Sequence, residues 1–197
     1  QQPVAMSATS SSPPHPAPHL SVKGRETRLG AMARQQIVDA EGKVVGYELF
    51  DRSHAVGEHT PASDVSLIFQ ILSHIGEEDL LGEHLQFINC THNSLAGGHL
   101  DLVHPDRLVL EIPALDTEDS EEIFNRQQNL LRLKQQGFKL AFGEFILTPP
   151  YAAWLKLASY IKIDLSKFDE AGLEEQVQLA LQRSLATLIG EKVETEA

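Results

Sequence analysis

Leu108-Val109-Leu110-Glu111-Ile112 is an apolar run broken by one carboxylate, and the segment after it decides the fold. Ser120 to Gln136 places Ile123, Leu130, Leu131 and Leu133 at helical spacing, with Gly137 at the stop. Lys139-Leu140-Ala141-Phe142 is then a second apolar run, leading into Gly143-Glu144. A strand, a helix of this length and another strand form a crossover unit, which makes the two strands parallel.

Working outward, the same unit recurs. Further strands are expected at Gln36–Asp39, Val44–Phe50, Leu85–Cys90, Tyr160–Leu165 and Lys192–Glu194. Asp64 caps a helix carrying Leu67, Ile68, Ile71, Leu72 and Ile75, stopped by Gly76. A last helix, Leu173 to Ile189, carries Val177, Leu181, Leu185 and Leu188. Ala40-Glu41-Gly42 reads as a tight turn, so the first two strands run antiparallel. Several strands are nearly continuous apolar runs, which suits a sheet covered on both faces, either a barrel or a doubly wound sheet. Gly97-Gly98 is isolated in a loop, so a dinucleotide fold has little support.

The chain has 197 residues and a net charge of −12, which argues against sequence-independent binding to DNA, RNA or an anionic membrane. The one cysteine, Cys90, excludes an internal disulfide framework and a cysteine-rich zinc site. It reads as a small core residue. No apolar run reaches the roughly 20 residues that cross a bilayer, and the start lacks the pattern of a signal peptide. A cytoplasmic protein is expected. Gln1 to Val22 carries no charge, holds Pro3, Pro13, Pro14, Pro16 and Pro18 and includes Ser10-Ser11-Ser12. Residues 1–31 therefore read as a disordered tail, and 32–197 as the folded domain.

The strands share one feature: a polar group near the end of each. Glu48 follows Val44-Val45-Gly46-Tyr47, Asn89 follows Phe87-Ile88, and Glu111 follows Leu108-Val109-Leu110. Glu144 follows Phe142-Gly143, Asp164 follows Ile161-Lys162-Ile163, and Glu191 and Glu194 come last. In a parallel barrel these ends meet at one mouth, where active sites are built. Gathered oxygens repel unless a cation lies among them. Lys162 supplies part of that charge, and a hard divalent ion such as Mg²⁺ or Mn²⁺ suits the remaining oxygen donors better than zinc.

Ala33-Arg34-Gln35-Gln36-Ile37, Gly46-Tyr47-Glu48-Leu49-Phe50 and these strand ends resemble the EAL domain, the cyclic di-GMP phosphodiesterase fold of bacterial signalling. The subgroup most similar carries a C-terminal HDOD domain. The resemblance implies a modified TIM barrel with an antiparallel first strand. It also implies Glu48, Asn89, Glu111, Glu144 and Asp164 as metal-site residues and Arg52 as the substrate-phosphate contact. Lys162, Glu191 and Glu194 fall on its catalytic positions, with Glu191-Lys192-Val193-Glu194-Thr195 similar to the family's Glu-Gly-Val-Glu-Thr. The implied chemistry is metal-assisted hydrolysis to the linear dinucleotide.

Departures from the family pattern qualify that expectation. Active members carry Asp-Asp-Phe-Gly where this chain has Gly143-Glu144-Phe145-Ile146, so Gly143 brings no ligand. The next loop, Leu147-Thr148-Pro149-Pro150, is stiff, whereas active members use a glycine-rich loop that helps organise the site and a homodimer. The chain also ends directly after the seventh expected strand, before the helix and eighth strand that close the family's barrel. A truncated barrel belonging to a longer polypeptide is expected. The leading expectation is a degenerate signalling module with weak or no hydrolysis, binding cyclic di-GMP or a protein partner. An active Mg²⁺- or Mn²⁺-dependent phosphodiesterase that uses Glu144, and an interaction module that binds no nucleotide, are the alternatives.

Overall fold

Each alternating run becomes a strand of one curled sheet in the computed structural model, which describes residues 19–22, 27–29, 32–39, 41–51, 84–96 and 98–193. Among the described residues the strands are β1 (His19–Val22), β2 (Thr27–Leu29), β3 (Met32–Val38), β4 (Val44–Asp51) and β5 (Leu85–Asn89). They continue with β6 (Leu108–Ile112), β7 (Lys139–Gly143), β8 (Tyr160–Asp164) and β9 (Thr187–Val193). The described helices are α1 (His92–Leu95), α2 (Ser120–Gln135) and α3 (Glu170–Arg183).

From β4 to β9 every neighbouring pair is parallel, as strand–helix–strand crossovers require. β3 and β4 are antiparallel across the expected turn, with Ala33 opposite Phe50 and Ile37 opposite Gly46. Asp39 makes that turn: its Oδ1 accepts from the amides of Glu41 (3.1 Å) and Lys43 (2.8 Å). Gly42 takes φ +78°, the left-handed conformation that glycine adopts without a Cβ clash. This is the modified barrel with an antiparallel first strand.

β1 lies parallel to β9 and pairs antiparallel with β3 at Leu20 opposite Val38. It thereby links the edge of β9 to β3. β1 and β2 fall within residues 1–31, whose composition reads as a tail. An unpaired strand edge offers backbone partners that composition does not register.

The last helix is shorter than its periodicity suggests. α3 ends at Arg183, Ser184 is extended, and Thr187–Val193 forms β9, where the periodicity predicts helix to Ile189 and strand only at Lys192–Glu194. Leu188 and Ile189 are both buried in the sheet, whereas Leu185 is 90% exposed. A strand covered on both faces shows no alternation, so its apolar run is indistinguishable from the tail of a helical stripe. The expected helix at Asp64–Gly76 lies outside the described residues.

The core has two layers. Ile37, Phe87, Val109, Ala141 and Ile189 fill the inside of the curl. A larger outer layer packs Leu108, Leu110, Ile112, Leu140, Phe142, Ile161 and Ile163 against α2, α3 and the 3-10 stretch Pro149–Leu157. α2 starts at Asp119, whose side chain accepts from the Glu121 amide, and buries Ile123, Leu130 and Leu133. Trp154 donates from Nε1 to the Ile123 carbonyl (3.2 Å), and the Tyr151 hydroxyl accepts from the Leu115 amide (2.9 Å). Both rings pack that stretch onto the barrel. Among the described residues no helix is long and apolar enough to cross a membrane.

Candidate active site

Side chains on one face of a strand recur every second residue, so each interior apolar residue predicts what sits above it. Two residues beyond Phe87 is Asn89, beyond Val109 is Glu111, beyond Ala141 is Gly143, and beyond Ile189 is Glu191. Tyr160, packed against that inner layer, likewise precedes Lys162. The strands thus carry an apolar plug topped by a polar layer at their C-terminal ends. Glu48, Asn89, Glu111, Gly143, Lys162 and Glu191 line a cavity there of about 290 Å³. Ile112, Pro113, Ala114, Ala141, Phe142, Phe145 and Cys90 complete its wall; Cys90 is 2% exposed, a small core residue as expected.

Lys162 is the centre of this layer. Its Nζ donates to both carboxylate oxygens of Glu111 (2.8 Å each) and lies 2.5 Å from Glu191 and 3.3 Å from Glu48. Asn89 Nδ2 donates to Glu48 Oε1 (3.1 Å), fixing that carboxylate against the neighbouring strand. Glu111 and Lys162 are both buried. Burial alone would pull the lysine pKa down, but Glu111, Glu48 and Glu191 together hold it above the ordinary range. Glu111 is pushed up to about 8 by burial and by Glu48, against the opposing pull of Lys162.

Three carboxylates around one ammonium leave excess negative charge in a partly desolvated site. Such a cluster gains from one further cation, and its donors are all oxygens, the chemistry that suits Mg²⁺, Mn²⁺ or Ca²⁺. Glu48, Asn89 and Glu111 fit that role. Among the described residues no three acidic, histidine or cysteine side chains stand as a ready coordination shell. The position between the carboxylates is held by Lys162 itself.

The other predicted residues lie elsewhere. Asp164 sits two residues beyond Lys162 but does not line the cavity: its Oδ2 accepts from Lys192 Nζ (2.6 Å), and its Oδ1 from the Ser166 amide (3.0 Å) and hydroxyl (2.6 Å). Lys192 first, then Ser166, holds its carboxyl down to about 2. Glu144 enters the 3-10 turn Glu144–Leu147 and pairs with Lys167, away from the cavity lining. Arg52 and Glu194 lie outside the described residues. Sequence reasoning does not single out Lys192 or Lys167. The one visible signal is Lys192 standing where the similar motif has glycine.

The buried carboxyl makes stability depend on pH. Glu111 keeps its proton in the folded chain until about pH 8 but loses it near 4.5 when unfolded. The folded state therefore binds the extra proton across that window, and stability falls as pH rises from about 4.5 to about 8. The loss is at most about tenfold in the folding constant per pH unit. Denaturant unfolding across this range should show the decline in the native chain and a flatter profile in Glu111→Gln. Parallel profiles would mean that Glu111 ionises as an ordinary carboxylate.

No family model matches the chain. The cyclic di-GMP phosphodiesterase CdgJ of Vibrio cholerae is 30% identical over 176 residues, covering 84% of this chain and 39% of that protein. The crystal structure of the Bacillus subtilis YkuI protein, with an EAL domain and in complex with substrate cyclic di-GMP and calcium, matches with a TM-score of 0.61. Its identity is 23%, over 82% of this chain and 49% of that one. Klebsiella pneumoniae BlrP1, in a manganese and cyclic di-GMP complex, gives a TM-score of 0.62 at 19% identity, over 91% of this chain and 53% of that one. This chain spans about two fifths of the curated relative and about half of each structure. At these identities the structures speak to fold, and fold, ordered motifs and curated relative agree: the chain belongs to the EAL-domain family of cyclic di-GMP signalling.

Proposed function

We propose that this chain is a cyclic di-GMP-binding signalling domain whose hydrolytic site is impaired. One observation carries the reading. Gly143 lines the cavity beside the acidic layer, with no side chain to offer, while the adjacent carboxylate, Glu144, is engaged by Lys167. A swing of Glu144 into the vacancy would have to break that pair and pull the residue out of its 3-10 turn.

Glu48, Asn89 and Glu111 are the residues that would hold a divalent ion, Mg²⁺ or Mn²⁺. Such an ion, when bound, lowers the pKa of a coordinated water and offsets phosphate charge. The chain's own contribution is positional. Lys162 keeps Glu48, Glu111 and Glu191 together before any ligand arrives and presents a buried ammonium toward a phosphate. Arg52 is assigned to the phosphate and Glu194 to the acidic rim on the motif match alone. A C-terminal HDOD domain, a homodimer and a protein partner belong to the same proposal.

The test is calorimetry with cyclic di-GMP in Ca²⁺, then a phosphodiesterase assay in Mn²⁺, on the natural full-length protein. Binding without turnover supports the proposal. Turnover makes the chain a working enzyme, and neither result leaves an interaction module. Gly143→Asp is the sharper probe. A Cβ there would lie 3.4 Å from Phe145 Cδ1, an ordinary contact, so the first atom of a side chain is accommodated. The change is expected to tighten Mn²⁺ by at least about tenfold, the scale on which supporting groups at metal sites act. No gain in affinity would sink the missing-ligand account.

A further inference from the structure

Lys192 combines three local observations that the proposed function does not use. First, it has φ +54°, the left-handed region that a residue with a side chain rarely adopts. Second, it lies in an irregularity of β9: Leu20 pairs with Gly190 and Val22 with Val193, so the step between pairs is longer on β9 than on β1. Such a bulge re-aims side chains. Third, its ammonium lies 2.6 Å from Asp164 Oδ2, while the preceding residue, Glu191, reaches Lys162 at 2.5 Å.

On a regular strand, consecutive residues face opposite sides of the sheet. Here Glu191 and Lys192 both act at the barrel mouth. The bulge and the left-handed backbone release the alternation and bring the Lys192 head over Asp164. The lysine side chain is 64% exposed and Asp164 only 7%, so the ammonium covers the carboxylate from the solvent side. With Ser166 on Oδ1 and Lys192 on Oδ2, both oxygens of Asp164 are engaged.

We infer that Lys192 is a resident counter-cation that withholds Asp164 from divalent ions, so that the ion affinity of the mouth is set by Glu48, Asn89 and Glu111 without it. This rests on the reading of the mouth as a divalent-ion site. To ligate an ion, Asp164 must release Lys192, and the displaced ammonium repels the incoming ion at close range. Lys192 is thus a determinant of ion affinity through Asp164.

The experiment is titration of Mn²⁺ into the full chain, with free ion read by electron paramagnetic resonance, for the native protein, Lys192→Gly, Lys192→Gln and Lys192→Arg. Glycine accommodates the left-handed backbone, and glutamine removes the charge while keeping a side chain of similar length. Both are expected to bind Mn²⁺ roughly tenfold tighter or more, the scale of removing a unit charge a few ångströms from a divalent ion. Arginine should behave as the native residue. Adding Asp164→Asn to Lys192→Gly should abolish the gain. Affinities within about twofold of native in both uncharged variants, or a gain that survives Asp164→Asn, would overturn the inference while leaving the ion site standing. Absence of Mn²⁺ binding in every variant would overturn both.

Discussion

Lys162→Met is expected to cost about 3–5 kcal/mol of folding stability at neutral pH, the scale for removing one partner from a buried ion cluster. Methionine keeps most of the volume and stem of the lysine, so little of this loss is cavity. What remains is Glu111, Glu48 and Glu191 converging on a site without a counter-charge. The pH dependence distinguishes this cause from a packing defect. Without Lys162 the Glu111 pKa rises beyond the value of about 8 that it has in the native chain, so the variant goes on losing stability at pH values where the native chain no longer does. Urea unfolding at pH 7 and about pH 9 should therefore show a larger deficit at the higher pH. A deficit below about 1 kcal/mol, equal at both pH values, would mean that the carboxylates remain hydrated and the layer is not a desolvated site.

Trp154→Ala is expected to cost a similar amount, about 3–5 kcal/mol, for a different reason. The indole is fully buried and donates to the Ile123 carbonyl, so it pins Pro149–Leu157 onto α2. Its ring lies 4.9 Å from Tyr151, 5.9 Å from Phe142 and 6.5 Å from Phe145. Truncation leaves a large cavity and an unpaired carbonyl together. Phe142 and Phe145 also line the functional cavity, so the damage reaches Gly143 and the polar layer. Leu185→Ala is the matched control: that leucine is 90% exposed, and its loss should stay within about 0.5 kcal/mol. Thermal or denaturant unfolding of both variants checks the contrast. Equal effects at the two positions would refute the packing described for the 3-10 stretch.

The consequence for function is that the acidic layer and its lysine are interdependent. Lys162 is the charge that lets Glu48, Glu111 and Glu191 share a buried site. On the proposed reading, a divalent ion arriving there would compete with that lysine for the carboxylate oxygens, and a phosphate would compete with the carboxylates for the lysine. Lys192 does for Asp164 at the rim what Lys162 does within the cavity.

Most strands and the polar residue near each end are legible in the sequence because both are local. An apolar run at the right spacing specifies which residues are buried, and a two-residue step from an apolar plug specifies which stand above it. Glu48, Asn89, Glu111, Lys162 and Glu191 emerge this way, whereas the missing ligand at Gly143 is legible only through the family resemblance. The boundary between α3 and β9 does not, because Leu188 and Ile189 satisfy a helical stripe and a doubly covered strand equally well. Asp164 and Glu144 carry the same carboxylate chemistry as their neighbours, yet Lys192 and Lys167 draw them away. That choice depends on where a bulge in β9 places Lys192 and a 3-10 turn after β8 places Lys167. Composition and periodicity thus determined the doubly covered sheet and the polar residue near each strand end, while the barrel entered through the family resemblance. Only the assembled barrel decided which oxygens meet, because strand stagger and loop geometry set distances between residues far apart in the chain.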